Sequence, residues 1–182
     1  STRALSSAAS DVYKRQLTDR FRTFFTLQDL SFDEELGYGL IDGTYAMAAF
    51  YWNVDDPGIQ EYVRAYREKY GRPPGGYGVY TYNAIKIIAE QVAAGNGTPE
   101  EFRGAVEGLE VSLGQGPMTI RECDHQALGP VFILEGLAAD EAASRGGDPQ
   151  FGYRAVLEEV PGSPDLAPTC DEVRTEFQRL GS

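Results

Sequence analysis

The sequence predicts an α/β fold, and a change of hydrophobic period along the chain carries that prediction. Between residues 56 and 109, apolar residues recur at the three- and four-residue spacing of amphipathic helices. After that, residues 117–122, 130–135 and 153–160 have the composition and spacing of extended strands. The chain has 182 residues, of which 42% are hydrophobic and 12% aromatic, enough for one packed domain or for part of a two-lobed protein.

The first helix is predicted to begin after Asp55-Asp56-Pro57, where an aspartate can cap the helix and proline suits its first turn. Gly71 is the expected C-terminal cap, and the Arg72-Pro73-Pro74 that follows cannot continue a helix. The predicted buried face of this helix consists of Ile59, Tyr62, Val63, Tyr66 and Tyr70.

A second helix is predicted over residues 77–94, ending at Gly95, and a third begins at Thr98, where Glu101 has the spacing of a capping box. The apolar residues expected to share one face of the second helix are Val79, Tyr82, Ile85, Ile88, Ala89 and Val92.

Extended structure is predicted on both sides of these helices. Residues 39–52 are aromatic and apolar with glycine punctuation, which indicates one strand. Residues 117–122 and 130–135 form a candidate hairpin, whereas residues 136–150 are small and polar, as in a loop with at most a helical turn. Residues 17–36 fit helical and strand spacing equally and receive no assignment.

The last predicted helix covers residues 171–180, is capped by Thr169, and is expected to bury Val173, Phe177 and Leu180. At the other end, residues 1–16 (STRALSSAASDVYKRQ) lack the apolar region of a secretion signal. They look like an adapter-derived leader, so we expect this segment to be non-native and leave it out of the fold prediction.

Charge excludes two classes of partner. The 16 basic and 28 acidic residues give a net charge of −12, which repels nucleic-acid phosphates and anionic membrane surfaces. No apolar run approaches the ~20 residues that cross a bilayer, so direct membrane insertion is not expected. A phosphate-binding P-loop and a complete dinucleotide fingerprint are also absent, and the sequence predicts no cofactor.

Catalytic patterns are weak. In Cys123-Asp124-His125, strand geometry would put the aspartate on the face opposite the histidine, so a turn with a structural cysteine is favoured over a Cys-His nucleophile. The acidic pairs are explained as helix caps or solvated faces. The chain has one histidine and two cysteines, Cys123 and Cys170, which excludes a metal site with four Cys and His ligands. A disulfide and two buried thiols both remain open for these cysteines.

Aromatic residues provide the better candidates for ligand contact. Tyr51 and Trp52 lie at the end of the predicted strand, where open α/β sheets bind ligands, and aromatic side chains supply apolar walls with a polar group. Tyr77, Tyr80 and Tyr82 begin the second helix and are the second choice. At these spacings, burial in the core is the simpler explanation for most of the set.

Four segments taken in order resemble a known family. They are AFYWNVDDP at residues 49–57, then YVRAYREKYGRPP, YGVYTYNAIKIIAE and GPMTIRECDHQALGPVF. Together they resemble the C-terminal portion of the type I periplasmic binding proteins, in particular the branched-chain amino acid and amide receptors of ABC transporters. The resemblance covers roughly residues 37–170.

The resemblance implies a fragment of a two-lobed α/β fold, with parallel sheets flanked by helices, three hinge crossings and a ligand in the cleft. Residues 17–182 would be the C-terminal portion, with parts of both lobes, and Tyr51 and Trp52 would lie near a hinge crossing. Because such receptors work in oxidising surroundings, it also implies a disulfide between Cys123 and Cys170.

The implied function is non-enzymatic. The protein would be an extracytoplasmic solute-binding component, in the periplasm or at the cell surface, that captures branched-chain amino acids or related amides or urea by hinge closure. Its partners would be the small-molecule solute and the membrane permease of an ABC transporter. The alternative is the ligand-sensing extracellular domain of a receptor or regulator on the same fold.

Overall fold

The fold, given by a computed structural model that describes residues 20–145, 148 and 150–180, contains two β-sheets joined by helices. The expected leader at residues 1–16 lies outside the described residues. The α/β class predicted from the sequence is confirmed. Among the described helices, none is long and apolar enough to cross a membrane.

Sheet A has four strands in the order β1-β2-β6-β7. These strands are β1 Phe24–Phe25, β2 Tyr45–Ala48, β6 Val131–Gly136 and β7 Arg154–Val160. β1 and β2 are parallel, as the resemblance implied for the sheets, whereas β6 pairs antiparallel with both β2 and β7.

Sheet B has three antiparallel strands, β3 Glu110–Leu113, β4 Gly116–Ile120 and β5 Ala127–Leu128. The predicted hairpin between residues 117–122 and 130–135 is wrong: β4 pairs with β3 and β5, and β6 belongs to sheet A. Gly129 and Pro130 lead the chain from one sheet to the other, and this change of sheet cannot be inferred from two adjacent extended segments.

Two shorter helices, α1 Leu30–Leu36 and α2 Tyr38–Ile41, precede β2. α1 lies in the segment left unassigned. The single strand predicted over residues 39–52 is wrong, because α2 and a turn occupy its first part. Gly37 and Gly43 adopt φ angles of 68° and 69°. This left-handed conformation favours glycine and interrupts an extended chain.

The three predicted central helices are confirmed as α3 Pro57–Tyr70, α4 Gly76–Ala93 and α5 Pro99–Val106. The Asp56 carboxylate accepts a hydrogen bond from the backbone N–H of Ile59 at 3.0 Å, and Gly71 is left-handed at the C-cap. Thr98 and Glu101 form the predicted capping box. Local capping chemistry therefore fixed these boundaries.

The buried face predicted for α4 is wrong in part. α4 buries Gly76, Val79, Asn83 and Ile87, whereas Ile85, Ile88 and Val92 are exposed. Val79 packs in the main core, and Ile87 packs in a second cluster with Val106 of α5 and Ile120 of sheet B. Because α4 is apolar on nearly every side, its periodicity cannot select the face that packs.

The C-terminal part begins with α6 Ala139–Ser144, a short helix within the predicted loop, and ends with α7 Cys170–Leu180. Thr169 caps α7 as predicted, since its hydroxyl accepts a hydrogen bond from the backbone N–H of Glu172. The predicted burial of Val173, Phe177 and Leu180 is wrong: none of the α7 residues is buried, and Phe177 and Leu180 are 67% and 71% exposed. An amphipathic pattern identifies an apolar face but not the surface that would cover it.

Three connections join sheet A to the rest of the chain: residues 49–56 lead from β2 to α3, residues 129–130 lead from β5 of sheet B to β6, and residues 161–169 lead from β7 to α7. The main core joins both sides of these connections, with Phe132 and Leu134 from sheet A and Ile59 and Val63 from α3. Tyr51 and Trp52 lie in the first of these connections.

Candidate ligand-binding cleft

Tyr51 is a buried residue in the connection between β2 and α3. It is 4% exposed, and its hydroxyl donates a hydrogen bond to the backbone oxygen of Arg154 at 3.1 Å and accepts one from the backbone N–H of the same residue at 3.2 Å. Burial raises the pKa of Tyr51 well above its ordinary value. Its hydroxyl is therefore neutral and joins this connection to β7 of sheet A.

Trp52 lies next to it and is 6% exposed. The guanidinium of Arg67 in α3 lies 4.7 Å from the centre of its ring, a cation–π contact. Its indole Nε1 is buried and has no hydrogen-bond partner among the described residues. A buried N–H without an acceptor costs about 1–3 kcal/mol, so this donor is available to a water molecule or a ligand that reaches it.

Both aromatic residues border a partly open gap of about 10 Å³. One wall comes from residues 28–30 at the start of α1, the opposite wall from residues 74–76 at the start of α4, and Phe50 lines the gap beside Tyr51 and Trp52. A volume near 10 Å³ is the least that holds one water molecule. In this arrangement the gap is closed to any larger solute.

Asp29 is the charged group of the gap, and it is not among the residues predicted from the sequence. One carboxylate oxygen caps α1, accepting hydrogen bonds from the backbone N–H of Ser31 at 3.0 Å and from its hydroxyl at 2.7 Å. The other oxygen accepts a hydrogen bond at 2.5 Å from the backbone N–H of Gly76, at the N-terminus of α4. Asp29 therefore links the two walls, at a helix end whose dipole favours a negative charge.

The close approach of Asp29 and α4 depends on Gly75. A Cβ atom at Gly75 would lie 2.8 Å from both carboxylate oxygens of Asp29. This is closer than such atoms can pack, so the glycine is required for the carboxylate to reach the helix. The sequence signals that could have found the pair are an aspartate ahead of an apolar segment and a glycine pair before an aromatic helix.

The three tyrosines at the start of α4 differ in how far they are exposed. Tyr77 and Tyr80 are exposed, and the Tyr80 hydroxyl lies beside Gly76. Burial, with a smaller effect from the negative charge of Asp29, raises the pKa of Tyr80. Tyr82 instead packs on Tyr62, with ring centres 4.7 Å apart, and belongs to the core.

A buried ion pair joins Arg154 of β7 to Asp33 of α1. The Nε atom of Arg154 donates to both carboxylate oxygens of Asp33, at 2.9 and 3.0 Å, and the two side chains are 0% and 1% exposed. Gln28 donates a further hydrogen bond to Asp33 at 2.6 Å, and Thr44 accepts one from Arg154 at 3.3 Å. This network ties β7 to α1 and to the connection that contains Tyr51.

Two further ion pairs connect the helical part to sheet A. Arg67 of α3 pairs with Asp148, before β7, at 3.0 Å, and Arg72 pairs with Glu34 of α1 at 2.5 Å. Both are partly exposed, and such pairs contribute no more than about 1 kcal/mol each. They therefore add little to the stability of the contact between the helical part and sheet A.

The other candidates from the sequence do not form a reactive site. Cys123 and Cys170 are joined in a disulfide, as the resemblance implied. His125 occupies a turn, with φ of 57°, and its Nε2 lies 3.2 Å from Glu107. Among the described residues, no three His, Cys, Asp or Glu side chains are placed to hold a metal ion. The Cys-His pair is therefore a structural turn, as favoured from the sequence.

Comparison with known proteins identifies relatives. The family model described as "Periplasmic binding protein" matches residues 14–142. The Leu/Ile/Val-binding protein homolog 8 of Brucella abortus is 33% identical over 87 residues, which are 45% of this chain and 22% of that protein. The chain thus spans less than a quarter of the curated relatives it matches.

Solved structures agree with the fold. An amino acid ABC transporter substrate-binding protein from Pseudomonas fluorescens Pf-5 is 27% identical, with a TM-score of 0.73 over 88% of this chain and 44% of that one. A branched chain amino acid ABC transporter periplasmic ligand-binding protein from Burkholderia xenovorans LB400 is 15% identical, with a TM-score of 0.66 over 79% of this chain and 37% of that one, and supports the fold alone. With the family model matching well over half of its residues, the chain belongs to the periplasmic binding protein family.

Proposed function

We propose that this chain is part of the solute-binding component of an ABC transporter, and that the protein captures a branched-chain amino acid or a related amide by closure of a hinge. The relatives described above are named for amino acid binding and transport. Periplasmic binding proteins are extracytoplasmic, so the protein would act in the periplasm or at the cell surface. Its partners would be the solute and the membrane permease, and it would catalyse no reaction.

The observation that carries this proposal is the gap between residues 28–30 and 74–76. Its walls belong to separate parts of the chain, and its volume of about 10 Å³ admits no amino acid. Sites for small organic ligands enclose several hundred Å³, so the walls must move apart to admit one. The connections at residues 49–56, 129–130 and 161–169 would act as the hinge for that movement, which is the closure expected of a capture protein.

The groups at the gap suit a zwitterion or an amide. Asp29 offers a carboxylate to an ammonium or amide N–H, and the first N–H groups of α4 offer donors to a carboxylate. We propose Tyr51 and Trp52 as the hinge-side wall, with the unpartnered Trp52 N–H as a further donor. Because Tyr51 already holds β7, its role would be to position the wall.

The test is a thermal-shift screen of the full-length gene product with the aliphatic amino acids, short amides and urea. A ligand at 100 times its dissociation constant adds about 2.7 kcal/mol to the free energy of unfolding, which gives a measurable rise in melting temperature. Asp29→Asn should reduce the shift caused by ligands that carry an ammonium group. Asp171→Asn, an exposed carboxylate on α7, is the matched control and should keep the full shift.

Two results would contradict the proposal. A folded protein with no shift for any of these solutes would remove the transport function and favour a sensor for another ligand. A full shift in Asp29→Asn would leave the transport function intact but remove Asp29 from the site.

A further inference from the structure

The disulfide between Cys123 and Cys170 is in contact with a buried guanidinium. The Nη2 atom of Arg121 lies 3.2 Å from the sulfur of Cys123 and 3.7 Å from that of Cys170. The same nitrogen donates a hydrogen bond to the backbone oxygen of Pro168 at 2.8 Å. Arg121 is 9% exposed, and its Nη1 is buried without a partner among the described residues. A positive charge therefore lies directly against the sulfur pair.

The disulfide is also the main attachment of the C-terminal segment. Cys170 is the first residue of α7, and none of the α7 residues is buried. The capping bonds of Thr169 and Glu172 and the ion pair of Asp171 and Arg174 stay within this segment. Among the described residues, the bonds that join the start of α7 to the turn between β4 and β5 are the disulfide and the hydrogen bond from Arg121 to the backbone oxygen of Pro168.

We propose that this disulfide is an exchange-competent redox latch: a dithiol opens it, Cys123 leaves as a thiolate held against Arg121, and α7 is freed from sheet B. Both cysteines are partly exposed, so a small thiol can reach the pair. A guanidinium next to a sulfur favours the thiolate over the thiol. A thiol with a lower pKa is a better leaving group in disulfide exchange.

The exchange takes place in two steps. A thiolate of the dithiol attacks the sulfur of Cys170, the bond between the two cysteines breaks, and its electron pair departs on Cys123. The second thiol of the reagent then loses its proton and displaces Cys170 from the mixed disulfide. The dithiol is oxidised to its own disulfide by two electrons, and both cysteines are reduced, with protons shared according to their pKa values.

Other charged groups near the disulfide also affect the electrostatic potential at its sulfurs. The carboxylate of Asp124, on the same turn, lies 3.3 Å from the Nε atom of Arg121 and reduces the positive potential at the sulfurs. Glu122 and the pair of His125 and Glu107 are also on this side, and are exposed. From α7, Glu172 turns back to Thr169. Removal of the Asp124 charge should therefore strengthen the effect of Arg121.

The test uses the oxidised chain, with dithiothreitol as the dithiol at pH 7 and trapping of new thiols by iodoacetamide before mass spectrometry. Arg121→Gln should reduce roughly three to ten times more slowly than the wild type, because the leaving thiol loses its stabilising charge. Asp124→Asn should reduce faster than the wild type. Arg174→Gln, which removes an exposed arginine one turn from Cys170, should reduce at the wild-type rate.

A second measurement covers the case in which loss of the buried Arg121 disturbs the turn, since a disordered turn would speed up reduction instead of slowing it. In Cys170→Ser, the rate of alkylation of Cys123 against pH should give a thiol pKa below the ordinary value of about 8.5, and adding Arg121→Gln should return it to that value. A Cys123 pKa of 8.5 or above in Cys170→Ser would overturn the proposal. So would an unchanged reduction rate in a folded Arg121→Gln.

The release of α7 has its own readout. Hydrogen exchange of the backbone amides of residues 170–180 should rise on reduction of the wild-type chain and stay unchanged in sheet A. Equal protection in the oxidised and reduced chains would show that other contacts hold α7, and the latch would be wrong.

Discussion

The buried pair of Asp33 and Arg154 should be the most sensitive polar contact in the molecule. Both side chains are fully buried, and the guanidinium contacts the carboxylate at 2.9–3.0 Å. Asp33→Asn removes one charge and leaves the other in the core. Breaking a buried pair in this way costs about 3–5 kcal/mol, a large part of the ~5–15 kcal/mol that stabilises an ordinary domain.

Removing both charges should cost much less. In the double variant Asp33→Leu with Arg154→Met, no buried charge remains, and replacing buried pairs by apolar residues is often neutral. The neighbours keep other partners: Gln28 also donates to the backbone oxygen of Asp29, and Thr44 donates to that of Ile41. We therefore expect a strongly non-additive double-mutant cycle.

The assay is urea unfolding at low protein concentration, followed by far-UV circular dichroism and by the fluorescence of Trp52, the single tryptophan of the chain. Trp52 lies in the main core with Tyr51, so its emission reports the same region. Asp171→Asn, in an exposed ion pair, is the control and should change the free energy of unfolding by less than about 1 kcal/mol. A cost below about 1 kcal/mol for Asp33→Asn, or a double variant that costs the sum of the single ones, would refute this reasoning.

Three further outcomes can be checked directly. Gly136→Ala should prevent cooperative folding, because its Cβ would lie within 1.8 Å of the backbone oxygen of Ile41, whereas Gly39→Ala meets no atom within 4 Å and should fold normally by circular dichroism. Burial, with a smaller effect from neighbouring tyrosines, raises the pKa of Tyr62 from 10.0 to about 12. The unfolded chain therefore loses this proton first, so the free energy of unfolding should fall between those pH values, and less steeply in Tyr62→Phe. The exposed apolar face of α4 should cause this chain to self-associate, and Ile85→Glu on that face should lower the self-association seen in sedimentation velocity without changing the helix content.

Whether a feature could be predicted from the sequence depends on how far apart along the chain its interacting residues lie. The ends of α3 and the capping box of α5 depend on residues within one turn, so Asp56, Gly71 and Thr98 were sufficient to place them. The buried face of α4 depends on what packs against it, and an apolar sequence on all sides contains no such information. The change of sheet at Gly129-Pro130 is likewise a tertiary choice.

The same distinction explains the candidate site. Tyr51 and Trp52 were predicted because an aromatic pair after a strand is visible in a short stretch of sequence. Asp29 was not, because its role depends on a contact with Gly76, 47 residues further along the chain. The donor to Asp29 is a backbone N–H, which no residue type identifies in a sequence. The segment around Asp29 also fits both helical and strand spacing.

The contact between Asp29 and Gly76 constrains how a solute would bind at the proposed site. The carboxylate accepts a hydrogen bond from the backbone N–H of Gly76 at the N-terminus of α4, and the gap measures about 10 Å³. A solute bound there would have to break this bond, and a ligand that supplies its own donor to Asp29 and its own acceptor to α4 would replace it. A ligand with only one of the two groups leaves either the carboxylate or the helix end unpaired in a buried site, at a cost of about 1–3 kcal/mol. The cleft should thus discriminate by the pairing of a donor with an acceptor on the solute, and less by the length of its apolar part.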